Sequence, residues 1–227
     1  MVTEIIGKSE TANQIRTFIL KAAALDYPVL LCGETGVGKE IVAQNIHALS
    51  RRKNRPFVPV NCAGIPPYLA ESELFGHRRG SFTDAKEEKV GLIEVAQGGT
   101  LLLDEIAEST LGLQAKLLRV IEHKEMRRVG DTQLRKVDVR FILATNRELD
   151  KEIKRGKFRR DFFFRVNVLK LEIPPLRERK EDIPLFVESF IEKIGRDLGK
   201  TKEVSSAAIE KLKEYSFPAI YGSSRTS

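Results

Sequence analysis

Tryptophan is absent from the 227 residues, methionine and cysteine occur twice each, and there are only three histidines. Cys32 and Cys62 each close a predicted apolar strand without metal-type spacing, so buried free thiols are expected in place of a disulfide or a ligand pair. No chemistry is assigned to them. His47, His77 and His123 converge on no acid or cysteine pattern, which leaves them structural or solvated. No apolar run approaches the ~20 residues of a membrane helix, and Met1-Val2-Thr3-Glu4 does not begin a basic-then-apolar leader. A cytoplasmic protein with no membrane contact is expected. No internal repeat or low-complexity tract is present.

The chain does contain 41% hydrophobic and 31% charged residues, the balance of an ordinary folded protein, and its length suits one sizeable core with a small appendage. Net charge is +7, with basic clusters at Arg51-Arg52-Lys53-Asn54-Arg55, at Arg127-Arg128 and from Lys151 to Arg160. Such clusters suit nucleic acid, polyphosphate or an acidic partner, or are simply solvated helix faces. Without a helix-turn-helix pattern or interleaved stacking aromatics, direct nucleic-acid binding is the lesser reading.

Apolar spacing predicts a helix capped by Ser9 through Ala23, a short strand Val29 to Cys32, a helix from about Lys39 to Leu49 and a strand Phe57 to Val60. Further strands are predicted at Thr100 to Leu103 and Val139 to Ala144. Short apolar strands alternating with helices imply an α/β fold, a parallel sheet with helices on both faces. Gly76 to Lys89 reads as an exposed loop and Met126 to Val137 as an inserted hairpin turning near Gly130-Asp131. Beyond Pro174-Pro175 the pattern is purely helical. Residues 1–173 are therefore expected to form the main subdomain and residues 174–227 a small helical one.

Gly33-Glu34-Thr35-Gly36-Val37-Gly38-Lys39 has phosphate-loop spacing directly after a strand and before a helix. Its glycines allow successive N–H groups to face phosphate oxygens, the helix start adds a favourable dipole, and Lys39 brings positive charge to the β and γ phosphates of ATP. The residue after the lysine is Glu40, where a Ser or Thr usually supplies a hydroxyl to magnesium. The cation must then rely on water, phosphate and an acid elsewhere. Gly98-Gly99-Thr100-Leu101-Leu102-Leu103-Asp104-Glu105 delivers two carboxylates at a strand's C-terminal end, the edge where ligands of open α/β sheets bind. Asp104 can hold Mg2+ through water, and Glu105 can orient and deprotonate the attacking water.

Phe75-Gly76-His77-Arg78-Arg79-Gly80-Ser81-Phe82-Thr83-Asp84-Ala85 resembles the loop bearing the Gly-Ala-Phe-Thr-Gly-Ala signature of bacterial enhancer-binding proteins, the AAA+ activators of sigma-54 RNA polymerase. The likeness runs from Ile6-Gly7 to about Pro218. It includes Gly33 to Glu40, Gly91 to Ile106, Val139 to Asn146, and Phe158 to Asp182 with Pro175-Leu176-Arg177-Glu178-Arg179. It implies an AAA+ P-loop NTPase with a helical lid. It further implies a homo-oligomeric ring, usually hexameric, in which ATP turnover drives the Gly80 to Ala85 loop against sigma-54 to open the promoter complex.

The same resemblance makes Asn146 the sensor of the γ-phosphate, though a turn-forming Asn is common at a strand end. Asn61 is similar to the switch that holds the catalytic glutamate from water, and a simple capping Asn is the alternative. Arg159 and Arg165 resemble the arginines projected into a neighbour's nucleotide. Arg160 could pair with Asp161, and Phe162, Phe163 and Phe164 suit core and subunit packing. The chain departs from the family at Ser81, at Asp84, and after Phe217-Pro218, where Ala219 to Ser227 replaces the segment bearing the lid arginine. Arg225 is out of register for that role, so the lid is expected to be incomplete. DNA binding is expected from a C-terminal domain outside this sequence. Rival readings are an ATP-responsive oligomerisation module with weak turnover and a different AAA+ machine acting directly on DNA.

Overall fold

Ser9 opens the first helix, α1 (Glu10–Ala24), by accepting the Ala12 N–H on its hydroxyl at 3.0 Å. That bond satisfies one of the donors a helix start leaves open. The 3.6-residue period then turns Ala12, Ile15, Ile19, Ala22 and Ala23 inward. The computed structural model describes residues 3–81, 85–198 and 204–215. In chain order follow β1 (Val29–Cys32), α2 (Lys39–Ala48), β2 (Phe57–Asn61), α3 (Pro67–Phe75), β3 (Gly76–His77), β4 (Lys89–Val90), α4 (Leu92–Val95) and β5 (Thr100–Asp104). Next come α5 (Leu111–His123), β6 (Glu125–Met126), β7 (Arg135–Lys136), β8 (Arg140–Thr145), α6 (Leu149–Lys154), α7 (Arg160–Val166), β9 (Leu169–Glu172), α8 (Ile183–Leu198) and α9 (Ser206–Glu214).

Five strands form one parallel sheet in the order β2-β5-β8-β1-β9. Alternation divides each strand between two apolar layers. Leu30, Leu101, Leu103, Phe141 and Leu143 face a core shared with α3, α5 and α7, whereas Val29, Leu31, Leu102, Ile142 and Ala144 face α1 and α2. Burying a side chain such as Phe162 or Leu117 contributes about 1.5–3 kcal/mol. The five-strand count corrects the four strands read from sequence. β9 has alternating partial burial and lies at the sheet edge, so Leu169 and Leu171 alone face the core.

Two other expectations shift. Gly76 to Lys89 is not loop throughout, because its ends pair as β3 and β4, with Gly76 opposite Val90. Cys62 is buried as expected but begins a 3-10 turn and does not end a strand, and Cys32 is only partly buried. Both thiols are free. Burial pushes the Cys62 thiol up to about 12, so it stays protonated and inert. The hairpin Met126 to Val137 forms as β6 and β7, and a bridge between His77 and Val129 docks it against the base of the β3–β4 loop.

His47 is buried, with Nδ1 3.0 Å from the Thr100 hydroxyl and its ring against Phe57; Nδ1 of His77 meets the Ser72 hydroxyl, and His123 is exposed. Each basic cluster has at least one arginine paired internally. Arg52 bridges Asp26 and Asp138, Arg128 meets Glu88 and Glu94, and Arg155 meets Glu152. No helix among the described residues is long and apolar enough to cross a membrane.

Candidate nucleotide site

The phosphate loop leaves β1 at Gly33 and enters α2 at Lys39. At Gly33 a side chain would meet the Ile173 carbonyl oxygen at 2.5 Å, and Gly38 takes a left-handed conformation (φ 100°) as the cap of α2. These two glycines let the chain turn tightly between strand and helix. Lys39 is buried, and its ammonium donates to the carbonyls of Gly33 and Glu34 at 2.9 Å each. Burial lowers its pKa, and the charges of Asp104 and Glu105 oppose that shift. Those carbonyl bonds hold the ammonium where a phosphate can take it over.

Asp104 and Glu105 follow at the end of β5. An Asp104 carboxylate oxygen accepts the Glu105 N–H at 2.9 Å, and Glu105 sits in the left-handed region (φ 53°). Such a conformation is uncommon outside glycine and marks a constrained position. Burial, and next the Asp104 charge, raise the Glu105 pKa. β2 and β5 place Asn61 opposite Asp104, yet the Asn61 carboxamide oxygen accepts the Ala63 N–H at 2.9 Å, so here it caps the following turn. Asn146, just beyond β8, donates to the Thr35 hydroxyl at 3.1 Å. Glu40 points away, accepting from Gln44.

No cluster of three His, Cys, Asp or Glu side chains that could hold a metal is found among the described residues. An oxygen-rich site with few protein ligands fits magnesium, which keeps several waters and takes one or two carboxylates plus phosphate. Asp104, at the end of β5, is a carboxylate that could take that place.

Beside the loop lies a cavity of about 470 Å³. Ile5, Ile6, Ile41, Val42, Leu176 and Phe186 supply apolar walls, and Glu34 to Gly38 form its rim. This size and lining suit a purine and ribose. The walls come from the N-terminal segment, α2 and the helical subdomain. Arg177 donates to both carboxylate oxygens of Glu34, and Arg179 stacks over Phe186 at 5.6 Å while reaching the Val37 carbonyl at 3.5 Å. Asp182, fully buried, accepts from the Lys8 and Ser9 N–H groups and from the Ser9 hydroxyl at 2.6–2.8 Å. The stretch from Arg177 to Asp182 thus clamps both the phosphate loop and the N-terminal wall.

The sequence pattern of the sigma-54 interaction domain matches residues 5–172, and that of the AAA+ ATPase lid domain matches residues 177–219. The chain belongs to the sigma-54 interaction domain family. Over 215 residues it is 48% identical to the response regulator protein PilR of Pseudomonas aeruginosa, covering 94% of this chain and 48% of that protein. It is also 48% identical over 217 residues to the anaerobic nitric oxide reductase transcription regulator NorR of Escherichia coli, covering 95% and 43%. The crystal structure of NtrX from Brucella abortus in complex with ATP is 40% identical with a TM-score of 0.89, over 95% of this chain and 47% of that one. The chain spans about half the length of these relatives. The fold is the AAA+ P-loop NTPase fold, with a small helical lid.

The loop singled out in the sequence of this domain is described only at its base. Phe82, Thr83 and Asp84 lie outside the described residues, as do Arg225 and the unusual stretch from Ala219 onward. Gly80 donates to the Ala85 carbonyl at 2.8 Å, Ser81 to that of Arg78 at 3.2 Å, and Ala85 is buried. Arg165 is exposed on α7, and Arg159 occupies the N-cap position of the same helix without a side-chain capping bond. Arg159, not Arg160, pairs with Asp161, at 2.6 Å; Arg160 instead lies over the Phe164 ring. A residue two positions away on the N-cap side reaches Asp161 where its helical neighbour cannot. Phe162 is core, Phe163 is partly buried and Phe164 is exposed.

Sequence reasoning missed the apolar walls and the clamp at Arg177, Arg179 and Asp182. It also missed Gln114, fully buried in α5. Gln114 lies one helical face with Leu117 and Ile121, and a polar residue on an apolar stripe was the available signal.

Proposed function

We propose that the chain is the ATP-hydrolysing domain of a sigma-54-dependent activator, a magnesium-dependent ATPase that remodels the sigma-54 RNA polymerase holoenzyme toward the open promoter complex. The observation that carries this reading is the phosphate loop beside an apolar cavity of about 470 Å³, with Asn146 bonded to Thr35 of that loop and the charges of Asp104 and Glu105 felt by its Lys39. Residues 1–173 form the nucleotide-binding part and residues 174–227 the lid.

Gly33 to Gly38 cradle the phosphates with main-chain N–H groups, and Lys39 exchanges its carbonyl contacts for phosphate oxygens. Asp104 would hold Mg2+, and the cation would offset charge on the phosphates. Glu105 accepts the proton of the attacking water, and Asn146 reports the γ-phosphate. Asn61 leaves its cap on Ala63 to engage Glu105 in the resting state. Arg159 releases Asp161 and, with Arg165, reaches the nucleotide of the next subunit in a homo-oligomeric ring, hexameric as is usual in the family. Gly80 to Ala85 form the sigma-54 contact, with Phe82 as its apolar anchor. Promoter binding resides in another domain of the longer protein, which works in the cytoplasm.

Sigma-54 capture with a transition-state mimic tests this. The parent is expected to capture sigma-54, while Phe82→Ala and Thr83→Ala lose capture and retain ATP hydrolysis. Capture unaffected by Phe82→Ala would remove the anchor. Capture by Asp84→Gly but not by the parent would mark the loop as specialised away from this partner.

A further inference from the structure

Gln114 makes three hydrogen bonds from a fully buried position, with both amide hydrogens used. Its Oε1 accepts the main-chain N–H of Arg159 at 2.8 Å. Its Nε2 donates to the carbonyls of Ser109 at 2.9 Å and Lys157 at 3.1 Å. Ser109 ends the 3-10 turn Ile106–Glu108 that directly follows Glu105, and it is tied back to Ile106 through both its N–H and its hydroxyl. One amide therefore fastens the Arg159 main chain to the rigid turn behind the catalytic pair.

A second strut reaches the same loop. Arg147, next to Asn146, pairs with Glu108 and Glu152, and the Glu152 carbonyl accepts the N–H groups of Lys157 and Phe158. These two struts hold the backbone of Lys157 to Arg159 at four points, while the Arg159 guanidinium is part-exposed and, among the described residues, pairs with Asp161. Fixed backbone with a releasable side chain is what a group acting on a neighbour's nucleotide needs, since small misplacement costs turnover steeply.

We propose that Gln114 is a positioning residue for Arg159, serving the nucleotide of the adjacent subunit and not the one bound by its own subunit. The proposal rests on the trans role of Arg159. Complementation separates it from simple packing of α5 on α7. A Gln114→Met subunit should bind ATP within about threefold of the parent and turn over about tenfold slower or worse. Lys39→Ala subunits have a dead site but sound arginines, so mixing them with Gln114→Met under verified subunit exchange should raise turnover severalfold. Mixing Gln114→Met with Arg159→Ala should raise nothing, because both supply a defective arginine.

The control mixes Arg159→Ala with Lys39→Ala. If that pair recovers turnover while Gln114→Met with Lys39→Ala does not, or if Gln114→Met rescues Arg159→Ala, the positioning role is overturned and the trans reading stands. Turnover of Gln114→Met equal to the parent overturns it as well. If the control itself fails, the trans reading falls and takes this proposal with it. Should Gln114→Met lose its thermal unfolding transition, Gln114→Asn, which keeps a neutral amide but is one methylene too short to hold all three bonds, is carried through the same mixtures, with the same outcomes expected and the same ones overturning the role.

Discussion

Asn146 donates its side-chain amide to the Thr35 hydroxyl across 3.1 Å, joining the end of β8 to the phosphate loop 111 residues earlier in the chain. β1 and β8 are neighbours in the sheet, with Cys32 opposite Thr145, so the two segments leave the sheet side by side. The contact places the Asn146 amide against the phosphate loop. Asn146→Ala is expected to lower turnover about 100-fold with ATP affinity changed far less, the pattern of a donor used mainly in the transition state. Parallel binding and steady-state assays check this, and equal losses in both would make Asn146 a binding residue only.

Lys39 is held by two loop carbonyls and is buried, so its charge is already desolvated before nucleotide arrives. Removing it leaves those carbonyls without their donor and the phosphates without their cation. Lys39→Ala should weaken ATP binding by about tenfold or more, as a charge-assisted hydrogen bond contributes ~1.5–3 kcal/mol. Titration with a fluorescent ATP analogue measures it. An unchanged affinity would contradict the assignment.

Asp182 links the lid to the N-terminal wall of the cavity. Burial alone would raise its pKa, but the Ser9 hydroxyl and the Ser9 and Lys8 N–H groups, with Arg179 nearby, outweigh that and hold it below the usual carboxylate range. A depressed folded-state pKa means the stabilisation is present above the unfolded value near 4 and is lost as pH falls through the folded one. Asp182→Asn should therefore cost about 2–4 kcal/mol in urea unfolding at neutral pH. The gap to the parent should narrow between about pH 5 and pH 3. A gap independent of pH would assign the loss to shape, not charge.

The phosphate loop and the strand-end acids were legible because each is a local run whose spacing and flanking strand carry the chemistry. The three central strands, β1, β5 and β8, were legible for the same reason: runs such as Leu101-Leu102-Leu103 are buried on both faces, while β2, at one edge, was read from its short apolar run Phe57 to Val60. β9 was not, since an edge strand with one covered face leaves only Leu169 and Leu171 as signal. The cavity was also hidden. Ile5 and Phe186 lie far apart in sequence yet line one cavity, and the Asp182 contacts to Lys8 and Ser9 that tie the two segments are encoded by no periodicity. Gln114 was readable in principle as a polar residue on an apolar stripe, but its partners at Ser109, Lys157 and Arg159 depend on how α5 meets α7.

The central claim is that Glu105 activates water at an ATP site that Lys39 and the phosphate loop build. Steady-state phosphate release with magnesium and ATP, measured for the parent and Glu105→Gln beside ATP affinity for both, tests it most directly. The account predicts steady release by the parent and a loss of about 100-fold or more in Glu105→Gln, with ATP affinity retained. Release by Glu105→Gln at the parent's rate would contradict it.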